Sequence, residues 1–254
     1  MPVMPGAEAY HHAGGQIGVL LCHGFTGSPQ SLRPWGEYLA AAGITVSLPR
    51  LPGHGTTWQE MSHTRWEDWY AELDKSLADL RGNCAEVFVM GLSLGGCMAL
   101  RLAEVHGDWI RGLVIVNPSV ANDVPLLRMA PLLRFVIASV PGVAGDIKKE
   151  GATELGYPRT PVKAAATLPR LWSLTQSELS KITQPVLVFH SPQDHVVKPA
   201  SVRILRERLT GGNLNVVELA NSYHVATLDN DADQIFAGSL EFIKTNASVP
   251  LQRD

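Results

Sequence analysis

The sequence predicts an α/β fold in which a mostly parallel central sheet carries helices on both faces. Apolar runs of strand length recur along the chain, at residues 17–22, 45–49, 86–91, 112–117, 185–190 and 215–219. Polar residues hardly interrupt these runs, which is typical of parallel strands buried on both faces. Segments with helical spacing separate the runs, and this alternation of strand and helix predicts the architecture.

Capping residues and apolar spacing mark the helical segments. In "SPQSLRPWGEYLAAAG", Ser28 is a candidate N-cap, Pro29 a candidate first helical residue and Gly43 a stop signal. In "TRWEDWYAELDKSLADLRGN", large apolar side chains recur at helical spacing. The remaining helical segments are "GGCMALRLAEVHGD", "ASVRILRERLTGG" and "DADQIFAGSLEFIKTN".

Residues 118–180 interrupt the alternation, because they contain no clear strand and are rich in Pro, Leu and Val. We interpret this segment, called the insert below, as a cap placed between two parts of one core, residues 1–117 and 181–246. The last residues, 247–254, are expected to be a disordered tail.

Composition and charge narrow the class of protein. A chain of 254 residues, 45% hydrophobic and 18% charged, can form one α/β domain with an insertion. The net charge of −3 and the lack of a Lys/Arg-rich run argue against a nucleic-acid partner. The N-terminus lacks a signal-peptide pattern and no apolar run is long enough for a transmembrane segment, so we expect a cytoplasmic protein. The sequence does not indicate an oligomeric state.

The cysteines do not predict a metal site. Cys22, Cys84 and Cys97 do not have metal-ligand spacing, and their number is odd. We therefore expect reduced, mostly buried thiols, with no metal and no cofactor.

The stretch "MGLSLGG", residues 90–96, contains the candidate nucleophile. Ser93 lies between Gly91 and Gly95, directly after a predicted strand and before a predicted helix. A serine on such a sharp strand-to-helix turn is typical of a nucleophile elbow, where small neighbours avoid clashes. The alternative is a serine that only caps the helix.

A serine needs a base, and the base needs an orienting acid. The fold predicts the chain order Ser, acid, His, with the acid and the histidine in loops after later strands. "FHSPQDHVV" supplies Asp194 and "NSYHVATLD" supplies His224. Asp194 would hold the imidazole in one tautomer, and His224 would take the Ser93 proton and return it to the leaving group.

Other titratable residues in these loops compete for the same roles. His195 follows the candidate acid and is expected to point elsewhere, and His190 is expected to be a buried strand residue. Asp229 and Asp231 are expected to start the last helix.

An oxyanion hole needs two backbone N–H donors. The residue after the nucleophile, Leu94, supplies one of them, and the turn "HGFTG" at residues 23–27 supplies the amide of Phe25. The alternative for His23 and Gly24, a tight turn with a buried histidine, is compatible with this role because the turn aims the amide.

These features together resemble the α/β-hydrolases over residues 17–245, and in particular the small bacterial carboxylesterases and monoacylglycerol lipases. The resemblance rests on "HGFTGSPQS", "PRLPGHGTT", "GLSLGG", "GDIKKEG", "YPRTPV", "DHVV" and "NSYHVATLDND". It implies an α/β-hydrolase fold with an inserted cap. The bacterial monoacylglycerol lipases tend to carry Met after the nucleophile, whereas this chain has Leu94, as in the related carboxylesterases.

The insert is expected to meet a lipophilic substrate. Its apolar residues between 124 and 140 would form partly the core of the cap and partly a surface for an acyl chain or a transient lipid interface. The resemblance aligns Glu154 with a glutamate that hydrogen-bonds glycerol hydroxyls, and Val143 with an apolar pocket position. The alternative for Glu154 is a solvated side chain on the cap surface.

The sequence therefore predicts a serine ester hydrolase that cleaves monoacylglycerols and related short esters, small amphiphilic molecules, through an acyl-enzyme. The alternative within enzymes is a broad-specificity carboxylesterase or a thioesterase with the same triad. A catalytically silent receptor is disfavoured because every catalytic element is present.

Overall fold

The computed structural model describes residues 1–121, 136–142, 144–211 and 213–251. A seven-stranded sheet forms its centre, in the order β1-β3-β2-β4-β5-β8-β9, and β6 and β7 form a separate pair. The strands are β1 (Tyr10–His12), β2 (Ile17–Cys22), β3 (Thr45–Leu48), β4 (Glu86–Leu92), β5 (Gly112–Val116), β6 (Ser139–Pro141), β7 (Arg159–Pro161), β8 (Val186–His190) and β9 (Leu214–Glu218).

The six apolar runs of the sequence form the six parallel strands of the large sheet, which confirms the predicted fold class. The sequence pattern missed β1, which pairs with β3 in the antiparallel direction. With only three residues, "YHH", β1 is too short and too polar to show an apolar run.

Helices cover both faces of the sheet. In the described ranges they are α1 (Arg33–Ala41), α2 (Trp58–Met61), α3 (Trp66–Asn83), α4 (Leu94–His106), α5 (Val162–Ala165), α6 (Leu168–Glu178), α7 (Ala200–Arg208) and α8 (Ala232–Asn246). One buried core joins α3, α4, α6 and α7 to one face of the sheet, and a second core joins α1 and α8 to the other face. Because both faces of the inner strands β2, β4, β5 and β8 are buried, these strands have no polar face, which explains their continuous apolar sequence, whereas the edge strand β9 keeps exposed residues at Asn215 and Glu218.

The start of the first helix differs from the prediction. Residues Pro29–Ser31 form a single 3₁₀ turn, and α1 begins only at Arg33. The side chain of Ser28 makes no capping hydrogen bond. Pro34 rather than Pro29 lies in the first turn of α1, where its lack of an N–H has no cost.

The insert contains more regular structure than its sequence indicated. The strands β6 and β7 form an antiparallel pair of three residues each, again too short for a visible pattern. Leu171 and Trp172 of α6 belong to the same buried core as the sheet. Residues 168–178 therefore pack as part of the central layers, although we predicted a cap as far as 180.

The C-terminal segment, which we expected to be a disordered tail, is packed against the core as far as residue 251. Ala247, Val249 and Leu251 pack against the core below α1 and α8, and the Ser248 amide donates to Glu86 at 2.8 Å. Residues 252–254 lie outside the described residues. Within the described ranges, no helix is both long and apolar enough to cross a membrane.

Candidate active site

Ser93 lies at the junction between β4 and α4. It has φ 56° and ψ −118°, a conformation that few residues other than glycine adopt. Its amide donates to the Val116 carbonyl at 2.9 Å, and its carbonyl accepts from the Ser119 amide at 3.0 Å. These bonds to the end of β5 hold the strained turn, and the hydroxyl stands at the N-terminus of α4, where the helix dipole favours negative charge.

The glycines around Ser93 are required by close backbone contacts. A Cβ at Gly95 would overlap the carbonyl oxygen of Cys22 on β2, and a Cβ at Gly91 would overlap the backbone of Gly95. A Cβ at Gly96 would lie 3.2 Å from the side chain of Pro118, a tight but smaller conflict. The elbow can therefore lie against the sheet only with glycine at positions 91 and 95.

Gly95→Ala is expected to destabilise the fold by about 3 kcal/mol or more, because the overlap is with backbone that cannot move aside. The matched control is Gly82→Ala on α3, where an added methyl group meets nothing within 4 Å. That control is expected to stabilise the protein by about 0.5–1 kcal/mol through helix propensity. Urea unfolding measures both changes, and equal stabilities of the two variants would contradict the backbone argument.

Asp194 and His224 meet at the carboxyl edge of the sheet. The Nδ1 atom of His224 lies 2.7 Å from Oδ2 of Asp194, and both side chains are almost fully buried. The other oxygen of Asp194 accepts the amides of Val196 and Val197 at 2.7 and 2.8 Å. Because a carboxylate accepts, Nδ1 of His224 donates the proton, and Nε2 is left free to act as a base.

The turn after β2 aims the Phe25 amide. Nδ1 of the buried His23 donates to the Gly24 carbonyl at 3.0 Å, and the Leu51 amide donates to Nε2 at 3.2 Å. Burial lowers the pKa of His23 to about 4, so the ring stays neutral and keeps both bonds near neutral pH. Among the described residues, neither the Phe25 nor the Leu94 amide has a backbone acceptor, so both are available to a ligand.

One cavity of about 340 Å³ brings the predicted site residues together. Ser93, His224, Phe25, Leu94 and Glu154 all line it. The rest of the lining is mainly apolar and comes from the sheet edge, the β6–β7 pair and α6. Val143, the other predicted substrate contact, lies outside the described residues, as do the apolar residues of the insert between 122 and 135.

Glu154 is partly buried and holds two parts of the insert together. Its Oε2 accepts the Gly145 amide at 2.9 Å, and Oε1 lies over Gly27, where a Cβ would be 2.8 Å away. Burial raises the pKa of Glu154, while the Gly145 amide and the nearby His224 act in the opposite direction. The carboxyl group thus lies in the cavity, not on the solvated cap surface.

Comparison with known proteins agrees with this geometry. The family described as "Hydrolase_4: Serine aminopeptidase, S33" matches residues 16–231. The chain belongs to this α/β-hydrolase family. The resemblance stated from the sequence motifs is thereby confirmed.

Two curated proteins resemble this α/β-hydrolase along almost its whole length. The thermostable monoacylglycerol lipase of Bacillus sp. (strain H-257) is 41% identical over 251 residues, covering 97% of this chain and 98% of the relative. The carboxylesterase of Bacillus subtilis (strain 168) is 27% identical over 239 residues, covering 91% of this chain and 94% of the relative.

Solved structures give the same result. One described as "LipS and LipT, two metagenome-derived lipolytic enzymes" superposes with a TM-score of 0.93 at 39% identity, covering 96% of this α/β-hydrolase and all of that chain. The monoacylglycerol lipase of Paleococcus ferrophilus, at 22% identity, shares the fold with a TM-score of 0.77, covering 94% of this chain and all of that one.

The competing titratable residues of this α/β-hydrolase have other partners. The side chain of His195 is exposed and contacts Asp146 instead of the triad. Its Nδ1 lies 2.8 Å from Oδ1 of Asp146. His190 is the last residue of β8 and is half-buried, and burial lowers its pKa. Asp231 directly precedes α8, as predicted. Asp229 does not start the helix; it is fully buried inside the loop that carries His224.

Asn117 is a site residue that the sequence analysis missed. It follows β5, is buried and has φ 42°. Its Nδ2 donates to the His224 carbonyl at 2.8 Å, and its Oδ1 accepts the Ser191 amide at 2.8 Å. Asn117 therefore joins the end of β5 to the loops of both Asp194 and His224. Its position directly after a strand was the available signal, since asparagine tolerates positive φ.

Proposed function

We propose that this α/β-hydrolase hydrolyses carboxylic esters, with monoacylglycerols as preferred substrates, through an acyl-enzyme formed on Ser93. The observation that carries the proposal is a mainly apolar cavity lined by Ser93, His224, Phe25 and Leu94. The backbone amides of Phe25 and Leu94 have no backbone acceptor in the part of the chain that the structure describes. A nucleophile, its base and an oxyanion site around one lipophilic space are the requirements of acyl transfer to serine.

In the first half of the reaction, Ser93 Oγ attacks the ester carbonyl carbon while His224 Nε2 takes the hydroxyl proton. The carbonyl oxygen becomes an oxyanion, which the Phe25 and Leu94 amides stabilise together with the N-terminus of α4. His224 then gives its proton to the alcohol oxygen as the bond to the acyl carbon breaks. The alcohol leaves, and the acyl group stays on Ser93.

In the second half, a water molecule replaces the alcohol. His224 takes a proton from the water, and the resulting hydroxide attacks the acyl carbon. The tetrahedral intermediate collapses when His224 returns the proton to Ser93 Oγ, which frees the carboxylic acid. Asp194 keeps the imidazole oriented in both halves through the Nδ1–H bond at 2.7 Å.

Two features favour a monoacylglycerol over larger glycerides. The cavity of about 340 Å³ is at the small end of the about 300–1,000 Å³ typical of ligand pockets, which suits one acyl chain better than three. Glu154 supplies a carboxyl group in the same cavity as His224, and this group can hydrogen-bond glycerol hydroxyls. The 41% identical relative is itself called a monoacylglycerol lipase.

Glu154→Ala is expected to lower kcat/KM for a 1-monoacylglycerol about 10- to 100-fold, because two glycerol hydroxyls lose a partner in the cavity. For a p-nitrophenyl ester of the same acid, which lacks those hydroxyls, we expect less than about a threefold loss. Glu154→Gln is the matched control for folding, since its amide oxygen can still accept the Gly145 amide. Equal losses on both substrates would contradict the glycerol role.

A substrate panel tests the proposed function as a whole. Monoacylglycerols of increasing chain length are compared with di- and triacylglycerols, simple alkyl esters, a thioester and an aminoacyl p-nitroanilide. We expect the highest kcat/KM for a monoacylglycerol. Faster turnover of simple alkyl esters or of the thioester would instead favour the broad carboxylesterase or thioesterase. The family description names a serine aminopeptidase. Turnover of the anilide, a substrate for that activity, with no turnover of any ester would contradict ester hydrolysis.

Two further expectations stay predictions. One is a cytoplasmic location, and the other is a transient contact between the insert and a lipid interface.

A further inference from the structure

We propose that Asp146, a residue of the insert, is a positioning residue for the catalytic histidine, so that the insert forms part of the catalytic machinery. The inference rests on the proposed role of His224 as base. Asp146 lies in the "GDIKK" segment, far along the chain from His224 and on a different loop.

The side chain of Asp146 reaches the backbone of the base itself. Its Oδ2 accepts the His224 amide at 3.1 Å, and its own carbonyl accepts the next amide, that of Val225, at 3.0 Å. The carbonyl of His224 is also held, because the side-chain amide of Asn117 donates to it. Side chains from the insert and from the end of β5 therefore hold both backbone polar groups of His224.

The same carboxylate also touches the loop that carries the acid. Asp146 Oδ2 accepts the His195 amide at 3.1 Å, and Oδ1 lies 2.8 Å from the His195 ring. Since His195 follows Asp194 directly, one side chain fixes the spacing between the loop of the acid and the loop of the base. That spacing sets the Asp194–His224 bond on which the tautomer depends.

A second aspartate fixes the insert from the opposite direction. Asp229, buried in the loop of His224, accepts the Lys148 and Lys149 amides at 2.7 and 2.9 Å. It also accepts the Tyr223 and Asn230 amides of its own loop. Asp146 of the insert thus holds the loop of His224, and Asp229 of that loop holds the insert. The two carboxylates together fix the position of the insert relative to the loop of His224.

The rate of proton transfer depends on the position of His224 that these contacts hold. Proton transfer from Ser93 requires Nε2 of His224 within hydrogen-bond reach, and a displacement of about 1 Å can cost about 100-fold in rate. Asp146 does not itself line the cavity, although the His195 ring that it contacts does. Because Asp146 holds the base through the backbone of His224, loss of its side chain should lower kcat far more than it raises KM.

Asp146→Ala tests the proposal, with Asp146→Asn as the conservative variant and Glu150→Ala as the matched control. Glu150 is exposed in the same segment. With a p-nitrophenyl ester, we expect kcat of Asp146→Ala to fall about 10- to 100-fold and KM to change less than about threefold. The rate of fluorophosphonate labelling should fall in parallel. Asp146→Asn, whose amide oxygen can still accept the His224 amide, and Glu150→Ala should stay within about threefold of the wild type.

Thermal unfolding verifies that each variant is folded. If Asp146→Ala does not fold, Asp146→Ser replaces it, because the serine side chain is too short to reach the His224 amide. A wild-type kcat in Asp146→Ala, an unchanged kcat with a raised KM, or an equal loss in Asp146→Asn would overturn the positioning role. Ser93→Ala separates the two proposals. If it keeps its activity, the proposed function fails; if it is inactive while Asp146→Ala is unimpaired, only the positioning role fails.

Discussion

Ser93→Ala is expected to lower kcat for ester hydrolysis about 10⁶-fold, the order of loss that follows removal of the nucleophile of a serine triad. We expect no other described hydroxyl of the cavity to take its place, because Ser93 stands at the strained turn before α4, in the cavity that His224, Phe25 and Leu94 also line. The measurement is single-turnover and steady-state hydrolysis of a p-nitrophenyl ester, together with mass spectrometry after fluorophosphonate labelling.

The matched control for this variant is Ser177→Ala, which removes an exposed hydroxyl on α6. It should keep the wild-type rate and become labelled on Ser93. Thermal unfolding should show Ser93→Ala to be folded, since the hydroxyl makes no contribution to either core. A labelled peptide that does not contain residue 93, or hydrolysis by Ser93→Ala near the wild-type rate, would refute the nucleophile assignment.

Asp194→Asn is expected to lower kcat about 10⁴-fold, although the side chain barely changes in shape. The Val196 and Val197 amides both donate to Oδ1 of Asp194, so an amide oxygen must occupy that position. The amide nitrogen then faces His224 Nδ1 and donates to it. This bond selects the tautomer with its proton on Nε2, which cannot accept the proton of Ser93.

The control for the loss of one negative charge is Asp79→Asn on the exposed face of α3, expected to be without effect. Substrate binding should survive in Asp194→Asn, so KM should change little while kcat falls. A full-rate Asp194→Asn variant would show that another acid orients His224. Nearly the wild-type stability is expected, because the substitution keeps the acceptor for both amides.

The sequence was sufficient to predict the nucleophile, acid and base candidates because the fold turns chain order into spatial proximity. Ser93, Asp194 and His224 each follow a parallel strand, and the carboxyl ends of parallel strands share one edge of the sheet. A short motif with required glycines and two loops with suitable residues could therefore be combined. The structure then supplied what spacing cannot, namely the Asp194–His224 bond and the shared cavity.

Asn117, Asp146 and Asp229 could not be predicted in the same way. Their function depends on which backbone amides and carbonyls they reach, and those partners lie up to 107 residues away along the chain. Asp229 illustrates the difficulty, because an aspartate shortly before a helix is usually a capping residue. Only the folded chain shows that its carboxylate is buried and engaged by four amides.

Short, irregular elements were missed for a related reason. Strand β1 and the β6–β7 pair contain three residues each, fewer than a period-2 pattern needs. Helix α6 was assigned to the insert because it follows a segment without strands, yet its apolar face completes the core next to α4. Sequence periodicity identifies that a helix has an apolar face, but not which surface that face covers.

The three non-glycine residues with positive φ in the described part of the chain are Thr26, Ser93 and Asn117. All three border the cavity or hold the residues that line it. Each such conformation costs about 1–3 kcal/mol, a sizeable share of the about 5–15 kcal/mol by which a domain is usually stable. In this protein, activity and stability therefore compete at the same few positions, and a search for more stable variants should be directed away from residues 26, 93 and 117.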